Sequence, residues 1–359
     1  MATTIPDVIR PVVRELSAYA VATPQHRIKL NQNESTVELP TAVKDEILAR
    51  LRARTWSRYP NQHATSLRET VRRSYGLDGR FGAAVGNGSN ELLQAALSSA
   101  IDPGDGVLLV TPTFALYRQI ATLGGASVIE ISLTDELEMD TSAVVAAVRR
   151  EQPRVILLGR PNNPTGRAFP LADLVEVADA ASALLVIDEA YAEFAEDTAL
   201  TLLEAYPNLA ITRTFSKALR AAGLRIGCLL GHRKLISEIS KVLLPFNLDV
   251  FSIEAAQVIL SHRAELEAGI SGIIAERERV TAALEGIPGV RPIPSHANFL
   301  CFRASRPVEN VFRGLLERGI LVRNVSGYPL LSDALRVTIG TPEENDEFLT
   351  GIEAIMESI

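Results

Sequence analysis

The chain carries 36 basic residues, of which five are lysines and the other 31 arginines. Against that background Lys217 draws attention, in Thr214-Phe215-Ser216-Lys217-Ala218-Leu219. A lysine after a strand is ordinarily a solvated surface residue. Here a second cation, Arg225, stands eight positions on, in Ala222-Gly223-Leu224-Arg225-Ile226-Gly227. Two cations with small hydroxyls suit an anionic ligand that carries a phosphate. An amine desolvated beside another cation also loses its proton more readily and becomes a Schiff-base nucleophile.

Three further pieces could share a site with it. The apolar run Leu185-Val186-Ile187 ends in Asp188-Glu189-Ala190-Tyr191. In an open α/β sheet ligands bind beyond the carboxyl ends of the strands, so Asp188 reads as a site acid, with a helix N-cap or turn acid as the alternative. An acid of Walker-B type would need a G-x-x-x-x-G-K-[ST] loop, and the sequence has none. Arg160-Pro161-Asn162-Asn163-Pro164-Thr165-Gly166 is a structured turn after an apolar run, able to aim an Asn amide at the same edge. Gly86-Asn87-Gly88-Ser89-Asn90-Glu91-Leu92 is a Gly-rich turn opening a helix, where free N–H groups favour a phosphate. It is no dinucleotide fingerprint, because Glu91 stands where the last Gly of G-x-G-x-x-G belongs.

Elements able to position these pieces are legible around them. Strand-length apolar runs occur at 106–110, 127–131, 154–158, 184–187, 209–212 and 226–230. Helical patterns alternate with them at 91–100, 114–122, 141–149 and 171–181, and two more precede them at 41–54 and 66–75. That alternation predicts an α/β unit with a mainly parallel, buried sheet. One long helical region is expected over 252–284, then strands at 298–302, 320–322 and 335–339 with helices at 308–317 and 343–357, a smaller α+β unit. The expected division is an N-terminal arm over 1–40, with one short helix near 7–16, a large domain over 41–250 and a small domain over 251–359.

Composition narrows the class. The 359 residues are 47% hydrophobic and 22% charged, which is globular rather than disordered. A net charge of −7 argues against general nucleic-acid binding. Cys228 and Cys301 stand alone, so neither a disulfide framework nor a cysteine zinc site is expected. His63, His232, His262 and His296 lack ligand spacing and read as structural or surface residues, Trp56 reads as packing, and Cys228 as core. No signal-peptide pattern and no membrane-length apolar run is visible, so a reducing cytoplasm is the expected setting.

Taken in order, the Gly-rich turn, an aromatic after Pro-Thr, Asn-Pro-Thr-Gly, Asp-x-x-Tyr, Ser-Lys and Gly-x-Arg resemble the pyridoxal-phosphate aminotransferases of fold type I. The likeness spans about residues 10–340. Within that superfamily the text is most similar to the histidinol-phosphate aminotransferases. It carries this in Leu30-Asn31-Gln32-Asn33-Glu34, Arg58-Tyr59-Pro60, Gly86–Ser89, Pro161–Gly166, Asp188–Tyr191, Thr214–Lys217 and Leu335–Gly340.

The resemblance implies an α/β fold with a mainly parallel central sheet sandwiched by helices, and pyridoxal 5'-phosphate as cofactor. It makes Lys217 the Schiff-base lysine and Asp188 the partner of the pyridine nitrogen, which keeps the ring an electron sink. It places Asn163 and Tyr191 on the ring oxygen and Phe114 on the ring face. The phosphate falls to Gly88, Ser89 and Asn90 with Thr214, Ser216 and Arg225, and to Tyr59 from a second subunit, which implies a homodimer. Arg336 and Arg323, with Tyr19 from the arm, become the ligands of the substrate anion; a guanidinium grips carboxylate or phosphate bidentately. For both arginines a surface ion pair is the other reading. The implied partners are an amino donor and a 2-oxo acid, with no nucleic acid or membrane.

Three departures from the family text stand out: Asn33-Glu34-Ser35-Thr36 for Asn-Glu-Asn-Pro, Asn90 for Asp, and Phe114 for Tyr. The first and third lie near the substrate and bear on its identity. Other readings within the superfamily are an aromatic aminotransferase and a threonine-phosphate decarboxylase. A DNA-binding regulator of this fold is disfavoured, since the roughly 40 residues before the α/β unit carry no basic helix-turn-helix pattern.

Overall fold

The computed structural model describes residues 8–18 and 23–357. A seven-stranded sheet runs in the order Phe81–Asn87, Ile226–His232, Leu209–Thr214, Leu184–Asp188, Val155–Gly159, Gly106–Thr111, Ser127–Ser132. Ile226–His232 is antiparallel to both its neighbours, and the other pairings are parallel.

Alternation of apolar residues explains how both faces are covered. Val107, Leu109, Val155, Leu157 and Val186 point into one helix-packed core, and Leu108, Ile156, Leu158, Leu185 and Ile187 into the opposite one. The helices that cover the faces carry the matching stripes, such as Leu92, Leu93 and Ala96 of Gly88–Ala100 and Leu174, Val177 and Ala178 of Leu171–Ala180.

Four antiparallel strands form a second sheet in the order Arg323–Asn324, Ala334–Thr338, Phe299–Ala304, Val290–Ile293. Helices Ile270–Glu285, Val308–Glu317 and Pro342–Glu357 bury it. The short strand Ile28–Lys29 pairs in parallel with Ile320–Leu321.

The sequence misses some elements. Phe81–Asn87 is a strand although Gly82, Ala83, Ala84 and Gly86 give it little β signal. Its residues are small because neighbours press close: a side-chain carbon at Gly82 would lie 3.3 Å from the Ile236 Cβ. The short strands Val290–Ile293 and Arg323–Asn324 are likewise unannounced. The expected long helix over 252–284 is three helices, Val250–Ser261, Arg263–Glu267 and Ile270–Glu285. The second break falls at Gly269, whose bare Cα admits the Arg220 guanidinium. Near the N-terminus the helix is Pro11–Glu15.

Candidate active site

One edge of the large sheet gathers the chemistry. Parallel strands end there at Asp188, at Gly159 before the Pro161–Gly166 turn, at Thr111 before Phe114, and at Thr214 before Ser216 and Lys217. Ile226–His232 runs the other way, so its beginning lies at the same edge and brings Arg225 with it. The Gly88 N–H donates to the Arg225 carbonyl (2.9 Å). A cavity of about 360 Å³ opens here, lined by Ser89, Asn90, Phe114, Asn163, Asp188, Tyr191, Thr214, Ser216, Lys217, Arg225, Arg323 and Arg336.

Lys217 Nζ donates to the Gln32 carbonyl at 2.9 Å. Burial, then the positive charges of Arg336 and Arg225, outweigh the pull of Glu34 and bring its pKa from 10.5 to about 7. The amine is therefore partly neutral at neutral pH, as a nucleophile and proton acceptor must be.

Asp188 sits at the cavity floor, 6% exposed. Its Oδ1 accepts from the Thr212 hydroxyl (2.8 Å) and the Ala190 N–H (3.2 Å), and its Oδ2 from the Tyr117 hydroxyl (2.7 Å). Burial raises its pKa, and these three donors oppose the rise. The adjacent Glu189 points elsewhere: it is fully buried against Arg213 at 2.7 Å and accepts from Thr198 and the Ala199 N–H.

At one end of the cavity the helix Gly88–Ala100 presents its first N–H groups. Gly88 has φ 73°, and a Cβ there would fall 2.5 Å from Arg225 Nη2. Arg225 is itself left-handed, at φ 54°. Its Nη1 donates to the Ala222 carbonyl (3.1 Å) and reaches Ser216 Oγ at 3.5 Å, while the Thr214 hydroxyl donates to Ser216 Oγ at 3.0 Å. Amides, hydroxyls and a guanidinium make an anion cup.

At the other end Arg336 is 8% exposed. Its Nη2 donates to the Asn31 carbonyl (2.8 Å), its Nη1 to Asn163 Oδ1, and its Nε has no hydrogen-bond partner among the described residues. A buried guanidinium with an idle donor is a ready anion ligand, and the surface ion-pair reading is set aside. Arg336 lies over the Phe299 ring (5.2 Å), and Arg323 lines the same end with Tyr328. The Asn163 amide approaches the Tyr191 hydroxyl at 3.5 Å, and the Asn33 amide donates to it at 3.1 Å.

One expected ligand is not at this cavity. Tyr59 is 81% exposed, its ring stacked on Phe246 at 4.5 Å. Tyr19 lies outside the described residues. Trp56, expected to pack, is 72% exposed, with its indole N–H on the Leu51 carbonyl. Cys228 is fully buried, its thiol pushed up to about 12. Among the described residues no cluster of His, Cys, Asp or Glu could hold a metal, and no helix is long and apolar enough to cross a membrane.

Sequence reasoning passed over Tyr117, Thr212, Asn33 and Tyr328 as site residues. Tyr117 had a signal: three residues after Phe114 on a helix, it shares that residue's face. Asn33 lay in text read as near the substrate, but its own role was hidden, because its place depends on a positive φ of 56° and on contacts with Thr338.

The profile of the class I and II aminotransferases matches residues 25–352, and the chain belongs to that family. Among its relatives, a histidinol-phosphate aminotransferase of Chlorobaculum tepidum is 38% identical over 95% of this chain and 98% of its own. One of Chlorobium phaeovibrioides is 39% identical over 97% and 96%. The fold matches a histidinol-phosphate aminotransferase of Sinorhizobium meliloti, solved with pyridoxal-5'-phosphate, at a TM-score of 0.87 and 23% identity over 98% of both chains.

Proposed function

We propose that the chain is a histidinol-phosphate aminotransferase of histidine biosynthesis. It moves an amino group between histidinol phosphate, giving imidazole acetol phosphate, and 2-oxoglutarate, with pyridoxal 5'-phosphate as cofactor. One observation carries the reading: a single amine, Lys217, lowered to about 7, lies in one cavity with two separate cationic sites. The relatives support the choice of substrate.

The residues present fit the cofactor. The cup around Gly88 excludes even a Cβ, and at Gly227 a Cβ would lie 2.4 Å from the Ser89 nitrogen, so backbone and guanidinium close on a small anion. Ser89, Asn90, Thr214, Ser216 and Arg225 would hold its phosphate, Asp188 its ring nitrogen, Asn163 and Tyr191 its ring oxygen, and Phe114 its face. Bound, the cofactor supplies an aldehyde that condenses with amines and a ring that draws electrons from the substrate Cα. Lys217 would hold the cofactor through its amine, and its Nζ, when free, would accept the substrate Cα proton and return it. Asp188 would face the ring nitrogen from the floor, held there by the Thr212 and Tyr117 hydroxyls and the Ala190 N–H. Arg336, helped by Arg323, orients the phosphate of one substrate and the carboxylate of the other.

The reading includes a homodimer and the division into an arm, a large domain and a small domain. Trp56, Tyr59, Leu244 and Phe246 expose apolar surface near one another, and a groove lined by Val37, Leu48 and Phe251 adjoins the cavity at Ser216 and Gly223. Tyr59 of the partner subunit would complete the phosphate cup. Pairing of Ile28–Lys29 with Ile320–Leu321 supports grouping the arm with the small domain.

The test is single-turnover amino transfer by cofactor-loaded protein. Histidinol phosphate and glutamate should each load the amino group, histidinol phosphate the faster. Transfer from phenylalanine with none from histidinol phosphate would move the protein to the aromatic class. Release of CO₂ from threonine phosphate would make it a decarboxylase.

A further inference from the structure

Asp188 has no ion-pair partner among the described residues, and the neighbouring charge of Glu189 disfavours its ionisation. The acid is nonetheless where a carboxylate is needed. Its charge and aim therefore rest on neutral donors. We propose that Tyr117 is a positioning residue for the cofactor reaction: with Thr212 it holds Asp188 as an oriented carboxylate facing the ring nitrogen. The assignment rests on the cofactor reading given above.

Four observations carry it. The Tyr117 hydroxyl takes one carboxylate oxygen at 2.7 Å and the Thr212 hydroxyl the other at 2.8 Å, which fixes the carboxylate plane. The two donors come from different elements, the helix Ala115–Leu123 and the strand Leu209–Thr214, so neither can drift without losing its bond. Gly159, the register partner of Asp188, gives the hydroxyl its path, since a Cβ there would stand 3.2 Å from the Tyr117 oxygen. The Tyr117 ring also meets Phe114 edge-on, centroids 5.6 Å apart, so one side chain braces both the acid and the aromatic lid.

The test compares two cofactor forms by their dissociation constants, measured by fluorescence without any turnover. One is pyridoxal phosphate; the other is its 1-deaza analogue, in which CH replaces the ring nitrogen. Tyr117→Phe should weaken pyridoxal phosphate by about 10–100-fold, the range for a hydrogen bond to a charged group. It should leave the analogue within about threefold of wild type, because Asp188 has no ring N–H to meet there. Thr212→Val carries the same expectation and stands in should Tyr117→Phe fail to fold. Gly159→Ala, which alters no polar group, should move the selectivity the same way by less. Equal weakening of both forms, or of neither, overturns the assignment and leaves Tyr117 as packing. Wild type that binds both forms alike, or neither, overturns instead the cofactor reading beneath it.

Discussion

An ammonium in water gives up its proton near pH 10.5; at Lys217 burial and the guanidinium groups of Arg336 and Arg225 bring this to about 7. Two outcomes follow from the signs. Arg336→Gln removes a positive neighbour, so the Lys217 pKa should rise and the acid limb of the pH–rate profile move to higher pH. Loss of the anion ligand should also lower kcat/KM by roughly 10²–10³-fold. Between about 7 and 10.5 the unfolded chain binds the proton that folded Lys217 has released, so cofactor-free protein gains stability as pH rises through that window. Lys217→Ala should flatten that gain in melting curves run at several pH values, and should still bind cofactor while losing turnover by several orders of magnitude. Lys217, Asp188, Asn163 and Arg225 could be singled out in the sequence because each sits in a short text of chemically matched neighbours, whereas Arg336, in an apolar strand, was singled out by the resemblance alone. Tyr117 was legible only through its helical spacing from Phe114, and Thr212 was not legible at all, because a hydroxyl in an apolar strand is unremarkable until the fold lays it on Asp188.

At the scale of elements, the reversed strand Ile226–His232 decides where the anion cup forms. Run parallel, it would carry Arg225 to the far edge of the sheet, away from Lys217. Gly227 near its start passes within 2.4 Å, counted from an added Cβ, of the Ser89 nitrogen. Because the atom struck is backbone, Gly227→Ala must push the helix Gly88–Ala100 off the strand. The expected costs are about 1–3 kcal/mol of stability, read from denaturant midpoints, and at least tenfold in cofactor affinity, read by titration. Six strands of the large sheet were legible as apolar runs; five of them are buried on both faces, and the edge strand Ser127–Ser132 is half-exposed but keeps its apolar Val128, Ile129 and Ile131. Phe81–Asn87 was not, since close packing there selects Gly and Ala over β-formers. The direction of Ile226–His232 was also hidden, because apolar periodicity carries no sense of direction.

For the whole molecule the exposed group of Trp56 at 72%, Tyr59 at 81% and Leu244 at 74% is the feature a second copy should cover. Sedimentation should give a dimer mass. A mixing experiment reads the sharing of sites directly. Lys217→Ala and Tyr59→Ala subunits, unfolded and refolded together, should regain about a quarter of wild-type activity, because half the dimers are mixed and each has one intact site. No recovery above the parents would mean that Tyr59 serves its own chain or none. That Tyr59 faces outward was not readable from sequence, since an aromatic beside Arg and Pro fits core and surface alike.

The wall of the cavity is stitched from residues some three hundred positions apart: Arg336 holds the Asn31 carbonyl and Thr338 the Asn33 N–H. A ribosome making this protein releases the first of these partners some three hundred residues before the second. The large sheet can form while synthesis continues, but the wall cannot close until the strand Ala334–Thr338 has emerged. A nascent or prematurely terminated chain therefore has Lys217 and its phosphate cup without the Arg336 side. It could capture cofactor but not orient a substrate, and full activity arrives only with the last strand.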